Sequence, residues 1–158
     1  MDWMLFAVFL FACGAAWATG ALFPPGDWYR RLDKPRWTPP NWMFPLVWTL
    51  LYASIALAAA RVAVLPESQY AVGFWAAQIA FNTLWTPVFF GLRRMRAALL
   101  VMALLWLSVV ATLIAMWPLD RIAAWLFVPY LIWVSVAGML NLSLVRRNPL
   151  VAAAPAAA

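Results

Sequence analysis

Residues Trp28–Tyr52 read WYRRLDKPRWTPPNWMFPLVWTLLY. This run holds four tryptophans (Trp28, Trp37, Trp42, Trp48), four prolines (Pro35, Pro39, Pro40, Pro45) and four cations (Arg30, Arg31, Lys34, Arg36). Each proline lacks an N–H and restricts the residue before it, so no continuous helix spans the run. The first part is expected to be a stiff loop. Pro45 is tolerated because it falls in the first turn of the helix that follows, where an N–H has no partner anyway. In water so aromatic a loop is a liability. Beside a bilayer its indoles sit at headgroup level and its cations face phosphates.

Working outward, the composition agrees with that setting. Of 158 residues, 68% are hydrophobic and only 10% charged, with mean hydropathy +0.87. Soluble domains run at about 45–50% apolar and about 25% charged. The fold class is therefore all-α, an integral membrane bundle of one domain. A net charge of +6 raises a nucleic-acid reading. A chain with so little polar surface has no soluble basic face to offer, so no nucleic-acid partner is expected and topology explains the cations better. Cys13 is the only cysteine, which excludes an intramolecular disulfide. The absence of histidine removes the commonest metal ligand, the usual haem axial ligand and the usual general base. No metal site is expected.

Five segments are apolar enough to span a core of about 30 Å, which takes about 20 helical residues. They lie near 3–23, 44–65, 70–92, 97–117 and 122–145, with the Trp/Pro-rich loop at 24–43, the membrane domain at 1–148 and an Ala/Pro-rich tail at 149–158. Ala16-Trp17-Ala18 imitates a signal-cleavage site, but Asp2 replaces the expected cation and the apolar run is long, so the first segment reads as a retained span. Five spans put Arg30, Arg31, Lys34, Arg36, Arg93, Arg94, Arg96, Arg146 and Arg147 on one face, against Arg61 and Arg121 on the other. The positive-inside rule then places the Trp28 loop and the C-terminus in the cytoplasm. Whether the membrane is inner or outer stays open.

No span carries an ionisable group near its middle; Asp2, Asp27, Asp33, Glu67 and Asp120 all fall in loops or at the N-terminus. Proton-driven pumps generally keep one there despite its cost. The spans hold neutral polar groups instead. Gln78, Asn82, Trp85, Thr86 and Phe89 share one face of the third span, and Pro87 frees a carbonyl one turn earlier. In the fifth, Pro129 and Tyr130 precede Trp133, Ala137, Leu140 and Asn141. Gln78, Asn82 and Asn141 read equally as interhelical glue, at about 0.6 kcal/mol each. Gly14, Ala18, Ala56, Ala60 and Gly138 permit close helix approach, within the chain or across a dimer face. Arg121, Phe127 and Leu131 fit an inverted cholesterol-contact pattern too permissive to carry weight.

The run Trp28-Tyr29, Leu32, Lys34-Pro35, Trp37, Pro39-Pro40, Trp42, Trp48 and Leu51-Tyr52 resembles the translocator protein family, also called the tryptophan-rich sensory protein or peripheral-type benzodiazepine receptor family. Gln78, Asn82, Pro87 and Phe89-Phe90-Gly91 are similar to its third helix, and Pro129-Tyr130-Leu131, Trp133 and Leu140-Asn141 to its fifth. The likeness covers roughly residues 3–148 in three blocks, and is that of a bacterial-type member. It implies a five-helix bundle, commonly a homodimer in membrane lipid, with a pocket under the first loop. It implies protoporphyrin IX or haem as ligand, benzodiazepine- and isoquinoline-type drugs as further ligands, and no required cofactor. The implied roles are tetrapyrrole sensing, transport or disposal. Light-dependent porphyrin breakdown using Trp48 and Trp133 is an enzymatic alternative, and lipid or sterol transport another. Trp28, Tyr29, Pro39, Trp48, Asn82, Thr86, Trp133 and Ala137 fall at expected pocket positions. Leu142 stands where animal members carry the tyrosine of a cholesterol motif, so the resemblance does not imply sterol binding through that motif.

The chemistry of a porphyrin suits these residues. It is a flat apolar disc with two carboxylates and needs aromatic walls inside and cations at the mouth. Trp28, Trp48 and Trp133 supply walls at about 0.5–1.5 kcal/mol each beyond area burial. Arg30, Arg31, Lys34 and Arg36 are the candidates to meet the propionates.

Overall fold

The computed structural model describes residues 2–153. Asp2 caps α1 (Trp3–Leu22), its Oδ1 accepting from the N–H groups of Met4 and Leu5 at 2.9 and 3.1 Å. A five-residue helix, α2 (Asp27–Arg31), interrupts the proline-rich connection that follows. Then come α3 (Met43–Val62) and α4 (Gln69–Thr86), which runs into a π-helical turn at Pro87–Gly91. The chain closes with α5 (Met95–Met116), α6 (Arg121–Arg147) and the short α7 (Pro149–Ala153).

Four helices, α1, α3, α5 and α6, are long and apolar enough to cross a membrane, with 20, 20, 22 and 27 residues. At 1.5 Å per residue, 20 residues cover about 30 Å. This is an all-α membrane bundle. The fifth long helix, α4, has 18 residues and carries the polar row. It belongs to the same bundle: α1 packs on α3 and α4, α4 on α5, α5 on α6 and α6 on α3, closing a ring.

Small side chains set the tightest contacts. Ala56, Ala59 and Ala60 are buried on α3, and Gly138 of α6 faces Met102 of α5, where an added Cβ would meet Cγ at 3.4 Å. Gly14 and Ala18 are exposed. Polar groups join helices through their backbones, as expected where no water is at hand. Trp75 Nε1 donates to the Ile55 carbonyl at 3.0 Å, Asn141 Nδ2 to the Met95 carbonyl at 3.1 Å, and Ser54 Oγ to the Leu126 carbonyl at 3.0 Å.

At the bundle end away from the proline-rich loop, Asp120 does two jobs. Its Oδ1 caps α6 at Ile122 and Ala123, while Oδ2 accepts from Arg61 Nε and Nη2 at 2.8 Å. At the other end the loop is docked rather than free. Tyr29 and Leu32 are buried against Phe89, Met95, Leu140 and Leu144, and Ala152 of α7 packs on the same cluster. The tail expected at 149–158 is thus helical as far as Ala153, and 154–158 lie outside the described residues.

Candidate ligand-binding site

Under the docked loop the ring of helices encloses a cavity of about 380 Å³ to which all five long helices contribute. From α1 come small residues, Ala16, Gly20 and Ala21, beside Trp17. From α3 come Phe44, Trp48 and Tyr52, which share a face at spacings of four. Phe44 meets Trp133 of α6 edge-on at 5.6 Å, and Trp48 stacks on Tyr52 at 5.2 Å. Another wall is Trp85 stacked on Phe89 at 4.9 Å, with Phe90 and Tyr29 beside them.

The π-helical turn explains that second wall. Pro87 cannot donate to the carbonyl one turn earlier. The chain widens instead, Leu92 N–H donating to the Pro87 carbonyl at 2.8 Å, five residues on. Phe89 and Phe90 both reach the cavity as a result. Gly91 lies under the Phe23 ring, where a Cβ would come within 2.9 Å of two ring carbons.

The deep end is polar and almost fully satisfied. Tyr52 OH donates to Asn82 Oδ1 at 3.0 Å, Asn82 Nδ2 donates to Tyr130 OH at 2.8 Å, and Tyr130 OH donates to Gln78 Oε1 at 2.7 Å. Trp85 Nε1 donates to Asn141 Oδ1 at 3.2 Å. Gln78, Asn82 and Asn141 therefore do bind helices together, and Asn82 and Asn141 also line the cavity. Two buried donors have no protein acceptor among the described residues, Gln78 Nε2 and Trp133 Nε1. Trp133 faces the cavity.

Of the residues expected at a pocket, Tyr29, Trp48, Asn82, Thr86, Trp133 and Ala137 line this cavity. Trp28 packs edge-on behind Phe89 at 5.7 Å and lines a separate, more polar groove with Arg31. Pro39 lies in the loop outside both linings. Arg30 is paired with Asp27. Lys34 Nζ sits 4.8 Å from the Tyr29 ring centroid and donates to the carbonyls of Arg30 and Leu32. Burial raises the Tyr29 phenol above its usual range, so the ring under Lys34 is neutral. Arg36 is exposed and lines neither opening.

Residues 6–147 match the TspO/MBR family. The chain belongs to that family. It is 57% identical over 148 residues to a tryptophan-rich sensory protein of Cereibacter sphaeroides, covering 94% of each chain. It is 54% identical over 153 residues to Protein CrtK of Rhodobacter capsulatus, covering 94% of this chain and 96% of that one. The human translocator protein is more distant, at 34% identity over 142 residues, with 82% of this chain and 81% of that one covered.

Several lining residues of this TspO/MBR protein escape a sequence reading. Gly20, Phe23, Phe44, Met102 and Leu105 are apolar residues in apolar segments, with no chemistry to mark them. Tyr52 was detectable, since it lies four residues after Trp48 on one helical face.

Proposed function

We propose that the cavity binds a porphyrin, protoporphyrin IX or haem, and that the protein serves tetrapyrrole sensing, transport or disposal in the membrane. The observation that carries this reading is the aromatic enclosure: Trp17, Trp48, Trp85 and Trp133 line one apolar space that lies beneath a basic loop. Its volume falls within the about 300–1,000 Å³ of small-molecule sites. It lies at the small end of that range, so the polar edge of the macrocycle extends through the mouth, past the exposed Pro25 and Asn41. Lys34, beside the cavity-lining Tyr29, is the best supported propionate contact, with Arg30 and Arg36 further candidates on that loop, while Arg31 lines the separate groove. Trp133 Nε1 is a buried donor with no acceptor among the described residues, so a ligand that shifts the indole would gain a hydrogen bond from it. Flat aromatic drugs of the benzodiazepine and isoquinoline type suit the same walls.

In this reading all five long helices span the membrane, the Trp28 loop and C-terminus face the cytoplasm, and the protein is a homodimer. The nine-to-two distribution of cations supports the orientation. The test of function is a dark titration with protoporphyrin IX, read by quenching of tryptophan fluorescence, for the unaltered chain and Trp133→Phe. Saturable quenching weakened by the substitution supports the reading. Linear quenching in both proteins means partitioning into detergent and rejects it.

One observation favours a second, enzymatic reading. Trp48 stacks on Tyr52 and meets Tyr130 edge-on at 6.0 Å, so an indole touching the ligand has two phenols behind it. Illuminated porphyrin would exchange an electron with Trp48 or Trp133, and no acid–base pair is needed. Illuminated loss of porphyrin absorbance that persists unchanged in Trp48→Phe and Trp133→Phe rejects this route.

A further inference from the structure

Beside the cavity, Arg31 and Arg93 line one groove of about 520 Å³. They arrive from separate elements, Arg31 as the last residue of α2 and Arg93 from the turn between the π-helical segment and α5. Both are exposed, and neither forms an ion pair among the described residues. The one acid in the lining, Asp27, is taken up by Arg30, and Asn148 adds a neutral amide. The groove is therefore lined by two arginines from separate elements with no ion-pair partner among the described residues.

We propose that Arg31 and Arg93 form a binding site for a phosphate group, carried by an anionic membrane lipid or by a soluble phosphate. A guanidinium fork matches two phosphate oxygens, stays charged at any working pH, and sheds its hydration more readily than an ammonium. Two forks from different segments fix an anion where a single arginine only attracts it. Basic pockets at the ends of membrane helices suit lipid headgroups in this way. The surroundings favour the lipid source. Pro24 edges the groove two residues after the exposed Leu22 of α1, so acyl chains would leave the site along an apolar helix face, while Phe90 and Val151 give the groove an apolar side. The site is separate from the cavity: Phe90 lines both and stands between them. It does not depend on what the cavity binds.

The competing explanation is diffuse attraction to a basic face, and Arg94 and Arg96 provide the control. They lie in the same region, are exposed, and line neither opening. The full chain in detergent is titrated with dihexanoyl phosphatidic acid, with dihexanoyl phosphatidylcholine and with inorganic phosphate, and bound species are counted by native mass spectrometry. One saturable phosphatidic acid per chain is expected, weakened at least tenfold in Arg31→Gln/Arg93→Gln and changed less than twofold in Arg94→Gln/Arg96→Gln. Inorganic phosphate binding as tightly as the lipid, with the same dependence on Arg31 and Arg93, assigns the site to soluble phosphates. Absence of one-to-one binding by either phosphate probe, or equal weakening in the two double variants, overturns the proposal.

Discussion

Asn148 reads the backbone of Asp33 in both directions. Its Oδ1 accepts from the Asp33 N–H and its Nδ2 donates to the Asp33 carbonyl, each at 3.0 Å. Arg147 adds a contact to the Asp33 carboxylate at 3.2 Å. The loop that covers the cavity is thereby tied to the last turn of α6, 115 residues away in sequence.

Asn148→Ala removes three side-chain bonds, two to Asp33 and one to the Leu144 carbonyl, from a half-buried site, where each is worth about 0.5–1.5 kcal/mol. Global stability should fall by about 1.5–3 kcal/mol, since water reaches part of the site and replaces some of each bond. Local opening should rise more visibly, as faster amide exchange across Leu32–Lys34 than in α3. Unchanged exchange in that segment would show that burial of Tyr29 and Leu32 alone holds the loop.

The buried network makes an asymmetric prediction for two amides. Asn82 makes two good bonds, so Asn82→Leu leaves the Tyr52 hydroxyl without its acceptor and Tyr130 without a donor. Gln78 makes one bond and already holds an unpartnered Nε2. Asn82→Leu should cost about 1–2 kcal/mol in detergent unfolding and Gln78→Leu under about 1 kcal/mol, within the range of polar contacts inside membranes. The reverse order would mean that Gln78 has a partner the side-chain geometry does not reveal.

If Lys34 meets a propionate as proposed, its removal should separate charged from neutral ligands. Lys34→Gln should weaken protoporphyrin IX about fivefold, the equivalent of about 1 kcal/mol for a solvent-exposed charge contact. A neutral benzodiazepine-type ligand should bind as before. Equal loss for both would make Lys34 a support for the Tyr29 ring rather than a propionate contact.

At the opposite end, Asp120→Ala removes the α6 cap and strands Arg61, while Asp120→Asn keeps a capping oxygen and loses only the ion pair. The cap is worth about 1 kcal/mol and a partly exposed pair about 0–1 kcal/mol. Asp120→Ala should therefore unfold at clearly lower temperature than Asp120→Asn, whose own shift should be small. Two equal shifts would give the whole effect to the pair.

Much of this fold is legible in the amino-acid sequence. The apolar runs near 3–23, 44–65, 97–117 and 122–145 became α1, α3, α5 and α6, because length and hydropathy leave a membrane chain few alternatives. Pro45 sits in the first turn of α3, and the face Gln78, Asn82, Trp85, Thr86 and Phe89 turns inward as its spacing requires. Other features resist such reading for physical reasons. α2 is five residues inside a proline-rich segment and owes its place to Tyr29 and Leu32 docking on other helices. The π-helical turn brings Phe90 to the cavity where α-helical periodicity selects only Phe89. α5 is apolar on every side, so nothing in its pattern singles out Met102 and Leu105. The division of the loop between two openings, Tyr29 to the cavity and Trp28 with Arg31 to the groove, depends on contacts between distant segments.

Occupation of the cavity is tested most directly by filling it. Gly20 lines the space, and an added Cβ there meets no heavy atom within 4 Å. Gly20→Leu should fold at least as stably as the unaltered chain, since leucine exceeds glycine in helix propensity by nearly 1 kcal/mol. In a dark protoporphyrin IX titration of both proteins, saturable one-to-one quenching should appear in the unaltered chain and weaken at least tenfold in Gly20→Leu. Equal affinity in the two, with the variant folded, would put the porphyrin somewhere other than this cavity.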